Sequence, residues 1–290
     1  MKNKLKKKTL EIVSYLFLVP FLEKILLHYT NNKYYGPLAT KIIPLPKLHK
    51  GSPSQIVSRN GIFYRLNKAD IVDWHVYYGI REAAKEKLYS LVKQGDIILD
   101  IGTNNADVAM KLARATGPKG KVFGFEPHIH NFKRAITNIE LNTFTNLFIS
   151  NIGLGCIKSK GWIKNVDEHN AGMNRISKDG DFEIEIDTLD NILNSVIPNH
   201  IDLIKIDVEG FELKVLEGAQ KVLTEISPTL FIELDNNNLI EQSGSAKSLI
   251  ELLENYDYIC RNAISDEIIY STSDKLVDCH FDIICKKNKK

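Results

Sequence analysis

From Asp96 onward, short β-rich runs alternate with helical patterns, and this alternation constrains the fold more than any other feature of the chain. "DIILDIG" reads as a strand, "ADVAMKLARAT" as a helix and "GPKG" as a turn. "KVFGFEP", "NFKRAITNIELN" and "NLFISNIGLG" then repeat the order strand, helix, strand. After an excursion come "IDLIKIDVEG", the helix "FELKVLEGAQKVLTEI" and "PTLFIELD". Continuous apolar runs of strand length predict a parallel sheet covered by helices on both faces. Near the end, "SLIELLENY" predicts a helix, then "YDYICRNAI" and "HFDIICKK" two strands. The gap between them, about 15 residues, is too short for a helical crossover, so the last strand should run antiparallel.

The 290 residues suffice for one sizeable α/β domain and an appendage. The net charge of +2 conceals an asymmetry: residues 1–50 hold ten lysines against Glu11 and Glu23, which is +8 and leaves −6 for the rest. A body of that sign argues against a nucleic-acid partner. Cys156, Cys260, Cys279 and Cys285 form no CxxC pair, so reduced, buried thiols and a cytoplasmic compartment are expected.

The N-terminus carries "MKNKLKKK" and then "TLEIVSYLFLVPFLEKILLH". No small-residue cleavage site follows, and the uncharged stretch Ile12–Leu22 is shorter than the roughly 20 residues that span a bilayer. Two readings stand: a helix packed on the body, or an interfacial helix making peripheral contact with anionic lipid. Residues 1–70 are expected to form this extension and residues 71–290 the main domain. "GIFYRLN" reads as a short strand and "REAAKEKLYSLV" as a helix.

Ligands of open parallel sheets bind beyond the carboxyl ends of the strands. Here those ends carry Asp100, Glu126, and Asp207 with Glu209. A dinucleotide site needs a G-x-G-x-x-G loop, because backbone N–H groups must approach a pyrophosphate. The loop after Asp100 runs Gly102, Thr103, Asn104, Asn105, Ala106, with a single glycine beside an acid that would repel an anion. A ligand with a cationic end and a ribose diol fits better, and S-adenosylmethionine has both; Glu126 stands where a carboxylate accepts two ribose hydroxyls. An NAD(P)-dependent oxidoreductase and a catalytically silent, membrane-associated binding protein are the alternative functions. The first would need the missing phosphate loop.

Across Gly95–Leu234 the chain resembles the FkbM-type S-adenosylmethionine-dependent methyltransferases, most specifically in "FEP" and "IKIDVEGFE". The resemblance implies the class I methyltransferase (Rossmann-like) fold. That is an α/β, seven-stranded, mostly parallel sheet with an antiparallel last strand, here with an N-terminal helical extension. It also implies O-methylation of a sugar, glycan or secondary metabolite. Ala106 departs from the pattern where family members often carry a second glycine, which bears on loop geometry. The expected cofactor set is Asp100, Gly102, Asn104, Asn105, Glu126, Pro127, His128, Asn151 and Asp207.

For catalysis the expected residues are Glu209, Asp207 and His169. Glu209 either accepts the acceptor's proton or caps the helix from Phe211. The turn at Gly210 is expected to swing it away from Asp207. Lys205 is expected to reach Asp207 only if its strand stays regular. His169 in "DEHNAGMNRI" is either a general base or an exposed loop residue, with Asn170, Asn174 and Arg175 as candidate acceptor contacts. His128 is expected to wall the cofactor pocket. A metal site from His128, His130 and Glu126 would compete with the ribose, so no metal is expected.

Overall fold

The computed structural model describes residues 14–30, 42–164, 175–177, 179–195 and 200–288. They fall into two compact units, one within residues 1–82 and one running from residue 83. The first holds a helix, Pro20–Thr30, a hairpin of β1 (Gln55–Arg59) and β2 (Ile62–Leu66), and a helix, Ile71–Tyr78. Asp70 caps the latter by accepting from the N–H groups of Val72 and Asp73. Its buried aromatics Trp74, Tyr77 and Tyr78 make the small core of this unit.

The second unit opens with the helix Ala83–Leu91 and then builds the expected parallel sheet. β3 (Ile97–Ile101), β4 (Lys121–Phe125) and β5 (Leu147–Ser150) pair in parallel, with the helices Asp107–Thr116 and Ile129–Glu140 between them. Four strands of a second sheet follow: β6 (Gly153–Leu154), β7 (Ser159–Lys164), β8 (Arg175–Ser177) and β9 (Phe182–Asp187). The helix Leu189–Ser195 leads to β10 (Leu203–Ile206), which pairs in parallel with β3 and with β11 (Thr229–Asp235). The helix Ala246–Asn255, with its Ser245–Ser248 capping box, precedes β12 (Tyr258–Asn262), β13 (Ile268–Ile269) and β14 (His280–Lys287).

In space the main sheet runs β13-β12-β14-β11-β10-β3-β4-β5. β14 lies antiparallel between β11 and β12, as its short connection required. The expected seven strands are joined at one edge by the two-residue β13. The four-residue β10 is buried throughout, and Leu99, Ile101, Ile204 and Ile206 are almost fully enclosed. Each such aliphatic side chain contributes about 1.5–3 kcal/mol through burial.

Three local expectations change. "NLFISNIGLG" is two strands, because the chain leaves the main sheet after Ser150 and Gly153–Leu154 pairs with β9 instead. "FELKVLEGAQKVLTEI" is broken: the helix Glu212–Glu217 ends at Gly218, a weak helix former, and a wider π-turn covers Val222–Ile226. The excursion before β10 is the second sheet, stitched by Ile163, Ile184 and Ile186. The cysteines are free thiols, and Cys260, Cys279 and Cys285 are buried.

Candidate active site

The sheet order brings the carboxyl ends of β4, β3, β10 and β11 side by side, and each presents an acid: Glu126, Asp100, Asp207 and Glu233. Gly102, at φ +83°, turns the chain sharply after β3; a Cβ there would lie 1.9 Å from the Asp207 carbonyl oxygen. Only glycine permits both that conformation and that approach. Asn104 and Ala106 in the same loop also adopt left-handed φ values of 51° and 67°. This explains why glycine suits the Ala106 position: alanine holds it at a cost of about 1–2 kcal/mol.

Asp100 is fully enclosed, and its register partner across β3 and β10 is Lys205. The ammonium lies 3.2 Å from Asp100 Oδ1 and 3.4 Å from Asp207 Oδ2, and donates to the Gly102 carbonyl at 2.8 Å. Lys205 therefore ties the loop to both acids, because its strand does stay regular. Burial works against its charge, yet Asp100 and Asp207 outweigh that and raise its pKa. Burial pushes Asp100 up, against the pull of Lys205; for Asp207 burial also opposes ionisation, but Lys205 prevails and its pKa is lowered. The repulsion an anion would meet at Asp100 is thus partly neutralised from within.

Glu126 is buried just past β4. Its Oε2 accepts from the Asn104 N–H at 2.8 Å and its Oε1 from the His128 N–H at 2.9 Å. Burial is the main reason its pKa rises to about 7, with those two N–H groups pulling the other way. The Asn131 side chain also hydrogen-bonds to this carboxylate. Nearby, the buried Asn104 Oδ1 accepts no hydrogen bond among the described residues. Asn105 accepts from the Asp107 N–H and, through its carbonyl, from Asn138, which fixes the loop from behind. Asn151 Nδ2 donates to the carbonyls of Glu126 and Pro127 at 2.8 and 2.9 Å. Pro127, Asn151 and Phe182 border a groove of about 490 Å³. His128 caps the helix from Ile129 and stacks edge-on against Phe182, 5.0 Å between centroids.

Beyond β10, Glu209 has φ +54° and Gly210 φ +98°. The turn does not swing Glu209 away: carboxylate oxygens of Asp207, Glu209 and Glu233 all lie within 4.8 Å of one another. Among the described residues no other carboxylate, histidine or thiol group has metal-ligand spacing, so His128, His130 and Glu126 do not form one. The helix from Glu212 has no side-chain cap bond at its N-cap Phe211; Glu212 Oε1 instead accepts from the N–H groups of Val208 and Gly210 in the preceding turn, while Glu209 Oε2 accepts from Asn238 Nδ2 at 3.0 Å. Glu233, absent from the expected set, has its pKa raised to about 10, first by Asp207 and then by burial. His169, Asn170 and Asn174 lie outside the described residues, as does the side chain of Arg175.

A parallel sheet with a tight glycine turn after its first strand and acids on adjoining carboxyl ends defines a class I, Rossmann-like enzyme with a nucleoside-bearing cofactor. Residues 100–260, more than half of the chain, match the Methyltransferase FkbM domain family. The chain belongs to that family and is an S-adenosylmethionine-dependent methyltransferase. This decides against the oxidoreductase and the silent binding protein. The chain is 25% identical over 193 residues to the 2-O-methyltransferase NoeI of Sinorhizobium fredii, covering 60% of this chain and 78% of that one. It is 24% identical over 176 residues to the hexuronic acid methyltransferase AglP of Haloferax volcanii, covering 58% and 70%. A solved FkbM methyltransferase from Methylobacillus flagellatus superimposes with a TM-score of 0.42 at 14% identity, covering 93% of this chain and 60% of that one.

Proposed function

We propose that this methyltransferase acts on a hydroxyl of a sugar or glycan, with Glu126 and the Gly102–Asn105 loop holding the cofactor and Glu209 facing the acceptor. The cofactor fits the residues present: Asn104 Oδ1 is a buried acceptor in need of a donor, and beside it stands the buried carboxylate of Glu126, an acceptor suited to a ribose hydroxyl. When bound, S-adenosylmethionine supplies an activated methyl group. The chain's own task is then to position the acceptor and take its proton.

The observation that carries the catalytic reading is the unequal state of three clustered acids. Asp207 is held ionised beside Lys205 and is a weak base; Glu233 keeps its proton and cannot be one. Glu209 is the remaining candidate to accept the hydroxyl proton. His169 stands as the alternative base. That NoeI is a 2-O-methyltransferase supports transfer to oxygen, and that AglP is a hexuronic acid methyltransferase supports a saccharide acceptor. The test is transfer of labelled methyl to a panel of saccharides, some bearing uronic acids, followed by mild alkali. A product that resists alkali is an ether and supports the hydroxyl reading. A label released by alkali is an ester, whose carboxylate acceptor needs no base, and would overturn it.

A further inference from the structure

The N-terminal helix has two unlike faces. Inward, Glu23 accepts from Lys68 Nζ at 2.8 Å and from the Tyr78 hydroxyl at 3.0 Å, and Leu26 is buried. These contacts pin the helix Pro20–Thr30 within the first compact unit and use up its acid. Outward, Phe21 and Ile25 of the helix are exposed, Phe21 by 71%, as are Leu16 and Val19 in the segment leading into it. The exposed polar side chains along that helical face are Lys24 and His28, with no acid among them. In sequence Lys2, Lys4, Lys6, Lys7 and Lys8 precede this segment, with Glu11 the one acid between them and it.

We propose that this outward face docks on an anionic lipid surface, which makes the chain a peripheral membrane protein. Apolar side chains with cationic flanks match an acyl boundary beneath negative headgroups. A second copy of the chain suits the face poorly, because the face offers no exposed acid to meet the other copy's Lys24. No helix of the described residues is long and apolar enough to cross a membrane, so the contact lies in the interface plane.

Co-sedimentation of the full chain with vesicles of phosphatidylcholine, with and without phosphatidylglycerol, tests it. Binding is expected only to the anionic vesicles and should weaken with salt. The double substitution Phe21→Asp and Ile25→Asp should lower partitioning at least about tenfold, since charge is excluded from the acyl boundary. Each lysine of residues 2–8 changed to Gln should lower it about fivefold. Unchanged affinity for S-adenosylhomocysteine certifies that the variants are folded. No partitioning, equal binding to neutral vesicles, or a double variant that binds like the parent would overturn the proposal. So would a dimer that dissociates in the double variant.

Discussion

Lys205 and Asp100 face each other across β10 and β3 as register partners, and their charged heads meet at 3.2 Å in the interior of the sheet. A cation inside a fully buried strand is expensive unless paired. Here it is paired twice, and its third contact holds the Gly102 carbonyl of the loop that the cofactor must meet. The same ion pair thus supports fold and site together.

Removing one partner should expose this dependence. Lys205→Met is expected to destabilise the chain by about 3–5 kcal/mol, because it strands the Asp100 carboxylate in the sheet. Asp100→Asn added to it should recover part of the loss, with a coupling of about 0.5–3 kcal/mol in a urea-unfolding cycle. Strictly additive effects would mean the 3.2 Å contact carries no energy.

Glu126 predicts a pH dependence of cofactor binding. Its folded-state pKa is raised from 4.5 to about 7, so between those values the folded chain holds a proton that the unfolded chain has lost. Stability from this group therefore falls as pH rises through that window and is level above it. Ribose hydroxyls donate to the ionised form. Affinity for S-adenosylhomocysteine should thus rise with pH, up to about tenfold per unit below 7, with proton release. Glu126→Gln should flatten the profile, and Glu126→Ala should weaken binding by about 2–4 kcal/mol. Binding is the right readout, because Glu212 is also raised to about 7 and would blur a stability curve. A parent profile flat across pH 5–8 would remove Glu126 from the ribose.

Much of this architecture was readable along the chain, and what escaped did so for physical reasons. Asp100, Glu126 and Asp207 each stand where an apolar run gives way to a polar turn, so each marks its own strand end. Glu233 sits inside β11, in "TLFIELD", and reaches the cluster only because β11 lies next to β10. Strand order is a tertiary fact with no local signal. Lys205 was ambiguous for the same reason: its partner is set by register with β3. The bonds that Glu212 accepts from the turn were hidden because two acids, Glu209 and Glu212, lie close to Gly210, and only the backbone shows which receives the N–H groups.

A chelator should leave methyl transfer intact. Asp207, Glu209 and Glu233 lie close enough to share a cation, yet the proton on Glu233 already relieves their mutual repulsion. Turnover is expected to survive EDTA. Its loss, with recovery on adding a divalent ion, would assign the cluster to a metal.

The three acids can be separated by isosteric substitution. Glu209→Gln should lower turnover by roughly 10²–10⁴, the range for a lost general base, and leave S-adenosylhomocysteine affinity near the parent's. Asp207→Asn removes a charge that Lys205 faces at 3.4 Å and should weaken cofactor binding as well. Glu233→Gln replaces a group that is already neutral at pH 7 and can still donate to Asp207, so turnover should stay within a few-fold of the parent. This contrast discriminates where a single variant would not. If Glu233→Gln is as damaging as Glu209→Gln, the cluster works as one unit and its proton is mobile. If Glu209→Gln retains full activity on an identified acceptor, Glu209 serves only its bond to Asn238, and the base is to be sought at His169.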